Sequence, residues 1–355
     1  MKNFVLAAKC LIVFLAVLIV VFCSIYRYEI SPISKDSTKK EIVVTEGSTW
    51  YSLSTVLFEN KLIKSEKFYK IYIKLFKPGK LEVGKYELSS DMSLDKIIAK
   101  IEEGSNYNPD DVTITFREGL NMRFIADLIA KNTDNTTDDV FDKLEDSKYI
   151  SGLIDKYWFL DEEIEDERIF YPLEGYLFPD TYSVSKNSSV EEIFGLMLDK
   201  TNEVLSKYKE DIKNSDLSVH EILTLASIVE LEANKPSERA KVAGVFFNRI
   251  NTGMSLGSDV TAYYSHKIDN WDGLTMDQLS GCNAYNTRGS CVIGLPVGPI
   301  CNPGVESIKA VLNPVESDYY YFVADCEGNT YLSKDDLEHS KIVNQLIDEG
   351  KWCDQ

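Results

Sequence analysis

Residues 226–234 read ASIVELEAN. Two glutamates, Glu230 and Glu232, stand two positions apart in an otherwise apolar stretch, and what each faces decides how the C-terminal half folds. Just upstream, Ser218-Val219-His220-Glu221 is a Ser-x-x-Glu capping box, so the spacing predicts a helix from there. At 100° per residue, Glu230 falls with Val219, Leu223, Ala226, Ser227 and Ala233. Glu232 falls almost opposite, with Glu221, Thr224 and Lys235. On that wheel Glu232 lies on a solvated stripe, whereas Glu230 faces the protein. A carboxylate among small apolar residues is costly unless paired, protonated or used. Desolvation raises the pKa of a carboxyl, the property a general acid needs near neutral pH. Glu230 is therefore the candidate acid. The alternative is a structural ion pair with Arg239 or Arg249.

The next stretch, KPSERAKVAGVFFNRINTGMSL, reads as a second helix. Ser237 is the expected cap, Val242, Val245, Phe246 and Ile250 the buried stripe, and Gly253 the stop. The two helices form a hairpin expected to carry Glu230 at the rim of a groove. Upstream, YPLEGYLFPDTYSV (Tyr171–Val184) packs aromatics around carboxylates in an irregular segment. Such a surface suits sugar rings, which stack on aromatics while carboxylates take hydroxyls. An aromatic-rich core turn is the other reading.

Towards the N-terminus, a plan recurs. EIVVTEGSTWYSLSTVLFENKLI and DVTITFREGLNMRFIADLIAKN each give a β-branched strand, a Glu-Gly turn (Glu46-Gly47, Glu118-Gly119) and an amphipathic helix. The apolar period changes from 2 to 3.6 across each glycine. Between them, KLEVGKYELSSDMSLDKIIAKIEEG predicts strand, turn and helix, with Ser93 as cap and Gly104 as terminator. Residues 41 to about 132 thus read as a small α+β region, whose role is a spacer or a carbohydrate-binding or docking module. A helical, acidic connector follows to about Phe170.

The first residues carry a different signal. CLIVFLAVLIVVFCSIY, Cys10–Tyr26, holds no charge. About 20 apolar residues span a bilayer, so an uncleaved membrane helix is expected. A cleaved signal peptide lacks its small-x-small site here, and bulky residues before Cys23 make a poor lipoprotein site. Lys2 precedes the helix, and Arg27, Lys35, Lys39 and Lys40 follow it. That balance places the bulk of the chain inside, but long domains translocate largely regardless of charge. YEISPISKDSTKK, Tyr28–Lys40, reads as a polar tether.

Composition narrows the function. The chain has 355 residues, 44% of them hydrophobic, enough for two or three domains. A net charge of −19 repels phosphates and argues against nucleic acid. Of seven cysteines, Cys282, Cys291, Cys301, Cys326 and Cys353 lie beyond the apolar segment. There is no CxxC, and His220, His266 and His339 are scattered, so no metal or cofactor is expected. Cys282 and Cys291 bracket a short loop and can pair in an oxidising compartment.

Four stretches, in order, carry a family resemblance: LEGYLFPDTY (Leu173–Tyr182), ASIVELEA with SERAKVAGVFFNRI (Ala226–Ile250), AYNT with GLPVGPICNPG (Ala284–Gly304), and YYYFVAD (Tyr319–Asp325). With them the chain resembles the YceG-like (MltG) family of endolytic murein transglycosylases, bacterial membrane proteins. The resemblance implies an α+β architecture. On this resemblance residues 1–27 are expected to be the cytoplasmic tip and transmembrane anchor, 28–40 a tether and 41–104 a LysM-like module. Residues 105–170 are a strand–helix unit with an acidic connector, and 171–355 a mixed α/β catalytic domain whose helical hairpin carries the catalytic glutamate.

It also implies cleavage of the β-1,4 bond between N-acetylmuramic acid and N-acetylglucosamine within nascent peptidoglycan strands, leaving 1,6-anhydro ends and ending glycan elongation. The glutamate of the SIVE motif matches Glu230. For substrate contacts the matched positions are Glu174, Asp180, Tyr182, Asn248, Asp259, Thr261, Tyr285 and Asn286, each also readable as an internal hydrogen bond. The implied partners are glycan strands and wall-synthesis proteins, penicillin-binding proteins among them. The implied location is the cell membrane, single-pass, N-terminus inside and catalytic domain outside. Departures fall at Gly257-Ser258-Asp259-Val260-Thr261, at Arg288 where a Tyr is usual and at Val297 where a Pro is usual. Two other readings stand beside this one: a hydrolytic muramidase using Asp259 or Glu174 as second carboxylate, and a non-catalytic wall-binding scaffold.

Overall fold

The computed structural model of the chain describes residues 2–45, 47–104, 111–270 and 273–353, with the side chains of 2–13 and 16 outside the description. Glu46, of the first expected turn, is therefore outside it. Two compact units divide the chain, Met1–Asp111 and Val112–Gln355.

The first unit opens with helix α1 (Lys2–Ile30). Among the described residues no helix is long and apolar enough to cross a membrane. The expected span, Cys10–Tyr26, lies partly on residues whose side chains are not described. Strand β1 (Lys40–Val44) pairs antiparallel with β2 (Gly84–Leu88), Lys40 opposite Leu88 and Val44 opposite Gly84. Residues of β2 alternate buried and exposed, the period-2 signature of a sheet with one wet face. Helices α2 (Leu53–Glu59), α3 (Glu66–Phe76) and α4 (Leu94–Glu102) cover the dry face, burying Leu57, Tyr69, Ile97 and Ile101 with Ile42, Tyr86 and Leu88. The segment expected as a polar tether makes backbone bonds to this unit. The amides of Ile33 and Ser34 both donate to the Ser90 carbonyl at 3.0 Å. Its polar composition gave no sign of these backbone bonds.

In the second unit, β3 (Asp111–Thr115) pairs with β4 (Thr181–Ser185). Helices α5 (Met122–Asn132), α6 (Thr137–Glu145) and α7 (Ser147–Lys156) lie between them in sequence. Ile114, Ile125, Ile129, Val140 and Ile150 share one apolar core with Phe194, Leu223 and Phe246. The second strand–helix repeat and the supposed connector thus belong to the same unit as residues 171–355. Periodicity reveals an element and its dry face, not the partner that covers it.

Helices α8 (Val190–Ser206) and α9 (Lys209–Asn214) lead to α10 (Val219–Glu232), which starts at the capping box. Ser218 Oγ accepts from the Glu221 amide at 3.2 Å, and Glu221 accepts from the Ser218 amide at 2.8 Å. Every residue from Ile222 to Val229 is buried. Over these turns the helix has no wet stripe, and Glu232, half-buried at its end, accepts from Ser258 Oγ rather than standing as a free surface charge.

A short turn (Pro236–Glu238) precedes α11 (Arg239–Asn251), so Glu238 rather than Ser237 is its N-cap residue. Gly253, at φ +67°, follows its C-cap. Within α11, a Cβ on Gly244 would lie 2.2 Å from the Val315 carbonyl oxygen, so glycine is what lets that strand of backbone close in. The chain continues through α12 (Asp259–Ser265), α13 (Met276–Ser280) and α14 (Val305–Leu312) to the antiparallel hairpin β5 (Tyr321–Ala324) and β6 (Thr330–Ser333), then α15 (Asp336–Asp348). Helix α10 packs against α11, α12 and α14. Disulfides join Cys282 to Cys291 and Cys326 to Cys353, while Cys301 is free and buried.

Candidate active site

Glu230 lies on the last turn of α10, where four segments converge. Its side chain is only 5% exposed. Arg239, the first residue of α11, donates from Nη2 to Glu230 Oε1 at 2.5 Å. Glu230 Oε2 accepts from the Gly304 amide at 3.0 Å and from Ser307 Oγ at 2.8 Å. Gly304 is the N-cap of α14 and offers no side-chain cap. The carboxylate from α10 therefore caps α14, where free amides and the helix dipole both favour an anion. On its other side lies the Glu118-Gly119 turn, Gly119 at φ +79°. A Cβ there would come within 3.8 Å of Glu230 Cγ.

That turn brings in a residue the sequence reading treated only as part of a loop. Glu118 Oε2 lies 3.7 Å from Arg239 Nη1, so two carboxylates flank one guanidinium. The Glu118 side chain is 46% exposed. Burial of its carboxyl, and then the charge of Glu230, push its pKa up, while Arg239 opposes them. A Cβ on Gly304 would sit 1.9 Å from Glu118 Oε1, so the glycine is the seat of this side chain.

Asn302 rivets the motif segments together. Its side chain donates to the Leu120 carbonyl at 3.0 Å and to Glu174 Oε1 at 3.1 Å, and accepts from the Leu177 amide at 2.9 Å. Its backbone exchanges two further bonds, with Leu120 O and the Gly119 amide, each 2.9 Å. In α10, Ser227 Oγ accepts from the Ile300 amide at 3.0 Å, tying the same loop to the glutamate's helix.

Several of the matched positions turn inward. Glu174 is 1% exposed and also accepts from the Met122 amide and Tyr264 Oη, at 2.9 and 3.0 Å. Burial pushes its carboxyl up to about 7 against those donors. A carboxyl enclosed in this way is not placed to activate a water. Tyr285, fully buried, accepts from the Phe170 amide at 3.1 Å. Thr261 Oγ1 bonds Thr287 Oγ1 and the Ser258 carbonyl, and Asn286 donates to three carbonyls of residues 278–281. Asn248 donates to the Ser317 and Tyr319 carbonyls, and Tyr182 to that of Phe178. The LEGYLFPD segment is thus a core turn: Leu173, Tyr176 and Leu177 are buried, and Tyr176 Oη bonds His220 Nδ1.

The exposed members are Asp180 and Asp259. Asp180 lies 3.4 Å from Lys200 Nζ, and Asp259 lies 2.8 Å from Arg288 Nε, one of the residues that departs from the family pattern. Glu232 accepts from Ser258 Oγ at 2.5 Å, and burial raises its pKa against that bond. It therefore serves the α10–α12 contact. A groove of about 1120 Å³, lined by Glu162, Glu163, Glu221 and the Cys282–Cys291 loop, lies at the far end of α10 and does not include Glu230.

The YceG-like family matches residues 42–345, and the chain belongs to that family. The endolytic murein transglycosylase of Bacillus subtilis strain 168 is 36% identical over 326 residues, covering 90% of this chain and 88% of that protein. A protein of the same name from Streptococcus pneumoniae serotype 2 is 31% identical over 341 residues, 91% of this chain. The chain spans 62% of that relative's length. The crystal structure of a YceG-like protein from Listeria monocytogenes superposes with a TM-score of 0.62 at 33% identity, covering 87% of this chain and all of that one.

Proposed function

We propose that the chain is an endolytic lytic transglycosylase acting on peptidoglycan, with Glu230 as its acid and base. The observation that carries the reading is the enclosed Glu230 carboxylate at the junction of the motif segments. Three donors fix its orientation, and family relatives bear the name of this activity.

In this reading protonated Glu230 gives its proton to the oxygen of the β-1,4 bond between N-acetylmuramic acid and N-acetylglucosamine. The bond from the muramic C1 to that oxygen breaks, and the electron pair stays on the oxygen. The Glu230 carboxylate then takes the proton of the muramic C6 hydroxyl as O6 bonds to C1. The 1,6-anhydro end forms, no water is consumed, and Glu230 is protonated again. A hydrolytic glycosidase generally uses two carboxyl groups; this cycle needs one. The competing use of Glu174 as a water-activating base is disfavoured by its burial. Exclusion of water and a fixed sugar geometry keep the internal hydroxyl ahead of hydrolysis.

We further propose that α1 anchors the protein, with the catalytic unit outside the cell membrane. Phe14, Val17, Ile19, Val20, Phe22 and Ile25 on α1 are all more than half exposed, as lipid-facing side chains would be. The LysM-like reading of residues 41–104, a role in ending glycan elongation and partnership with penicillin-binding proteins rest on the family resemblance.

The test is mass spectrometry of digested glycan strands. Anhydro ends are lighter than reducing ends by one water. Anhydro ends made by the wild type and lost in Glu230→Gln are expected; reducing ends alone would sink the reading.

A further inference from the structure

We propose that Glu118 is a positioning residue that takes Arg239 from Glu230 when Glu230 carries its proton. The inference rests on the function proposed above and deepens it. Its basis is an asymmetric arrangement of three charged groups. Arg239 is 5% exposed and spends one N–H on Glu230. Its Nε and Nη1 are buried without a hydrogen-bond partner. An arginine carries five N–H donors in a rigid fork, and a buried donor left without an acceptor is costly. Nη1 already points within 3.7 Å of Glu118 Oε2, just beyond hydrogen-bond range.

The Glu118 side chain is half-exposed, and its seat is the bare Cα of Gly304. The exchange requires this side chain to rotate toward Nη1 and close the 3.7 Å gap.

The exchange solves a problem that the single-acid cycle creates. A guanidinium against Glu230 favours the carboxylate, whereas the first step requires the acid. With one proton on Glu230, the three groups are Glu118⁻, Arg239⁺ and neutral Glu230, with no net charge among them. The cation then pairs with Glu118. When the proton has gone to the glycosidic oxygen, Arg239 returns to Glu230 and steadies the carboxylate until the C6 hydroxyl restores its proton. Burial and the Glu230 charge push the Glu118 pKa up, which agrees with a carboxylate waiting for a partner. Other titratable groups facing the cluster are Glu306 of α14, which raises Glu118 further, and Cys301, itself raised by burial and by Glu230.

The test is the pH profile of kcat/KM for anhydro-end formation by the full chain. The basic limb reports loss of the Glu230 proton. In Glu118→Gln, Arg239 has only Glu230 to pair with, and the repulsion that favoured the protonated acid is gone. Both effects have the same sign, so the basic limb is expected to move down by about 1–2 pH units. Activity at neutral pH should fall about 10–100-fold and recover in part on acidification. Glu118→Asp, which keeps the charge on a shorter arm, should restore most of the limb. A purely structural role for Glu118 would scale the rate equally at every pH.

A Glu118→Gln limb that stays in place overturns the proposal, as does an equal shift in Glu118→Asp. Glu230→Gln, assayed alongside, separates the two levels. If it keeps cleaving, the assignment of Glu230 fails and takes this inference with it. If it is inactive while the Glu118→Gln limb is unmoved, only this inference fails.

Discussion

Ser307 Oγ donates to Glu230 Oε2 at 2.8 Å, across 77 residues of sequence. A hydroxyl one turn into α14 and a carboxylate at the end of α10 thus share the helix start, with the Gly304 amide on the same oxygen. Ser307→Ala removes one of three donors and leaves the helix and the apolar neighbours intact. A hydrogen bond to a charged group contributes about 1.5–3 kcal/mol, and two donors remain to hold the carboxylate. Anhydro-end formation should fall about tenfold, with the melting temperature lowered by only a few degrees. An unchanged rate would mean that the orientation of Glu230 does not depend on this bond.

The two glutamates of ASIVELEAN should separate cleanly on substitution. Loss of a general acid removes roughly 10²–10⁴-fold of rate, so Glu230→Gln should reduce cleavage to that extent while folding normally. Glu232→Gln weakens a bond to Ser258 at the α10–α12 contact. It should cost some stability and leave activity within about tenfold. Comparable loss in both variants would refute the assignment of the acid.

Two glycine substitutions should behave oppositely. In Gly244→Ala the new methyl meets the Val315 carbonyl oxygen at 2.2 Å, and that oxygen is backbone. Despite the better helix propensity of alanine, worth about 1 kcal/mol, overpacking of this kind typically costs about 1–3 kcal/mol or more. Net destabilisation in urea unfolding is expected. In Gly304→Ala the clash is with the far end of the half-exposed Glu118 side chain, which can rotate away. Stability should hardly change, whereas the pH profile should move as in Glu118→Gln. Destabilisation by Gly304→Ala as large as by Gly244→Ala would show that Glu118 is rigidly held.

Glu174 should leave a signature in stability rather than in chemistry. Its folded pKa is raised from 4.5 to about 7. The folded state therefore binds this proton more tightly than the unfolded chain. The contribution is fully present below about pH 4.5 and is lost as pH rises through about 7. Glu174→Gln has no proton to lose. The stability advantage of wild type over this variant should shrink by up to about 3 kcal/mol between those pH values. A difference that stays constant across the range would show that the donors of Met122, Tyr264 and Asn302 fully offset burial.

The sequence was most informative where contacts are local. The Ser218–Glu221 box placed the start of α10, and helical spacing picked Glu230 out of a pair. Arg239 was legible too, as the structural partner that competed with the acid reading. The wheel puts Glu232 on a wet face because it assumes one, whereas α10 packs against α11, α12 and α14. The matched polar residues are readable as sugar contacts or as internal hydrogen bonds, because polarity signals a hydrogen bond without naming its partner. For Glu174 the partners are Met122, Tyr264 and Asn302, 52 to 128 residues away. Glu118 and Asn302 were invisible for the same reason: a Glu-Gly turn looks like any other until the chain folds it onto Glu230.

The Gly304 amide has a use that its bond to Glu230 makes available. A single backbone proton points at the Glu230 carboxylate. Its nuclear magnetic resonance position would follow the charge on Glu230 through a titration, and its exchange with deuterium would follow the opening of α14 from α10. Isotope labelling of glycine would let both be watched in the wild-type protein, without altering any residue that takes part.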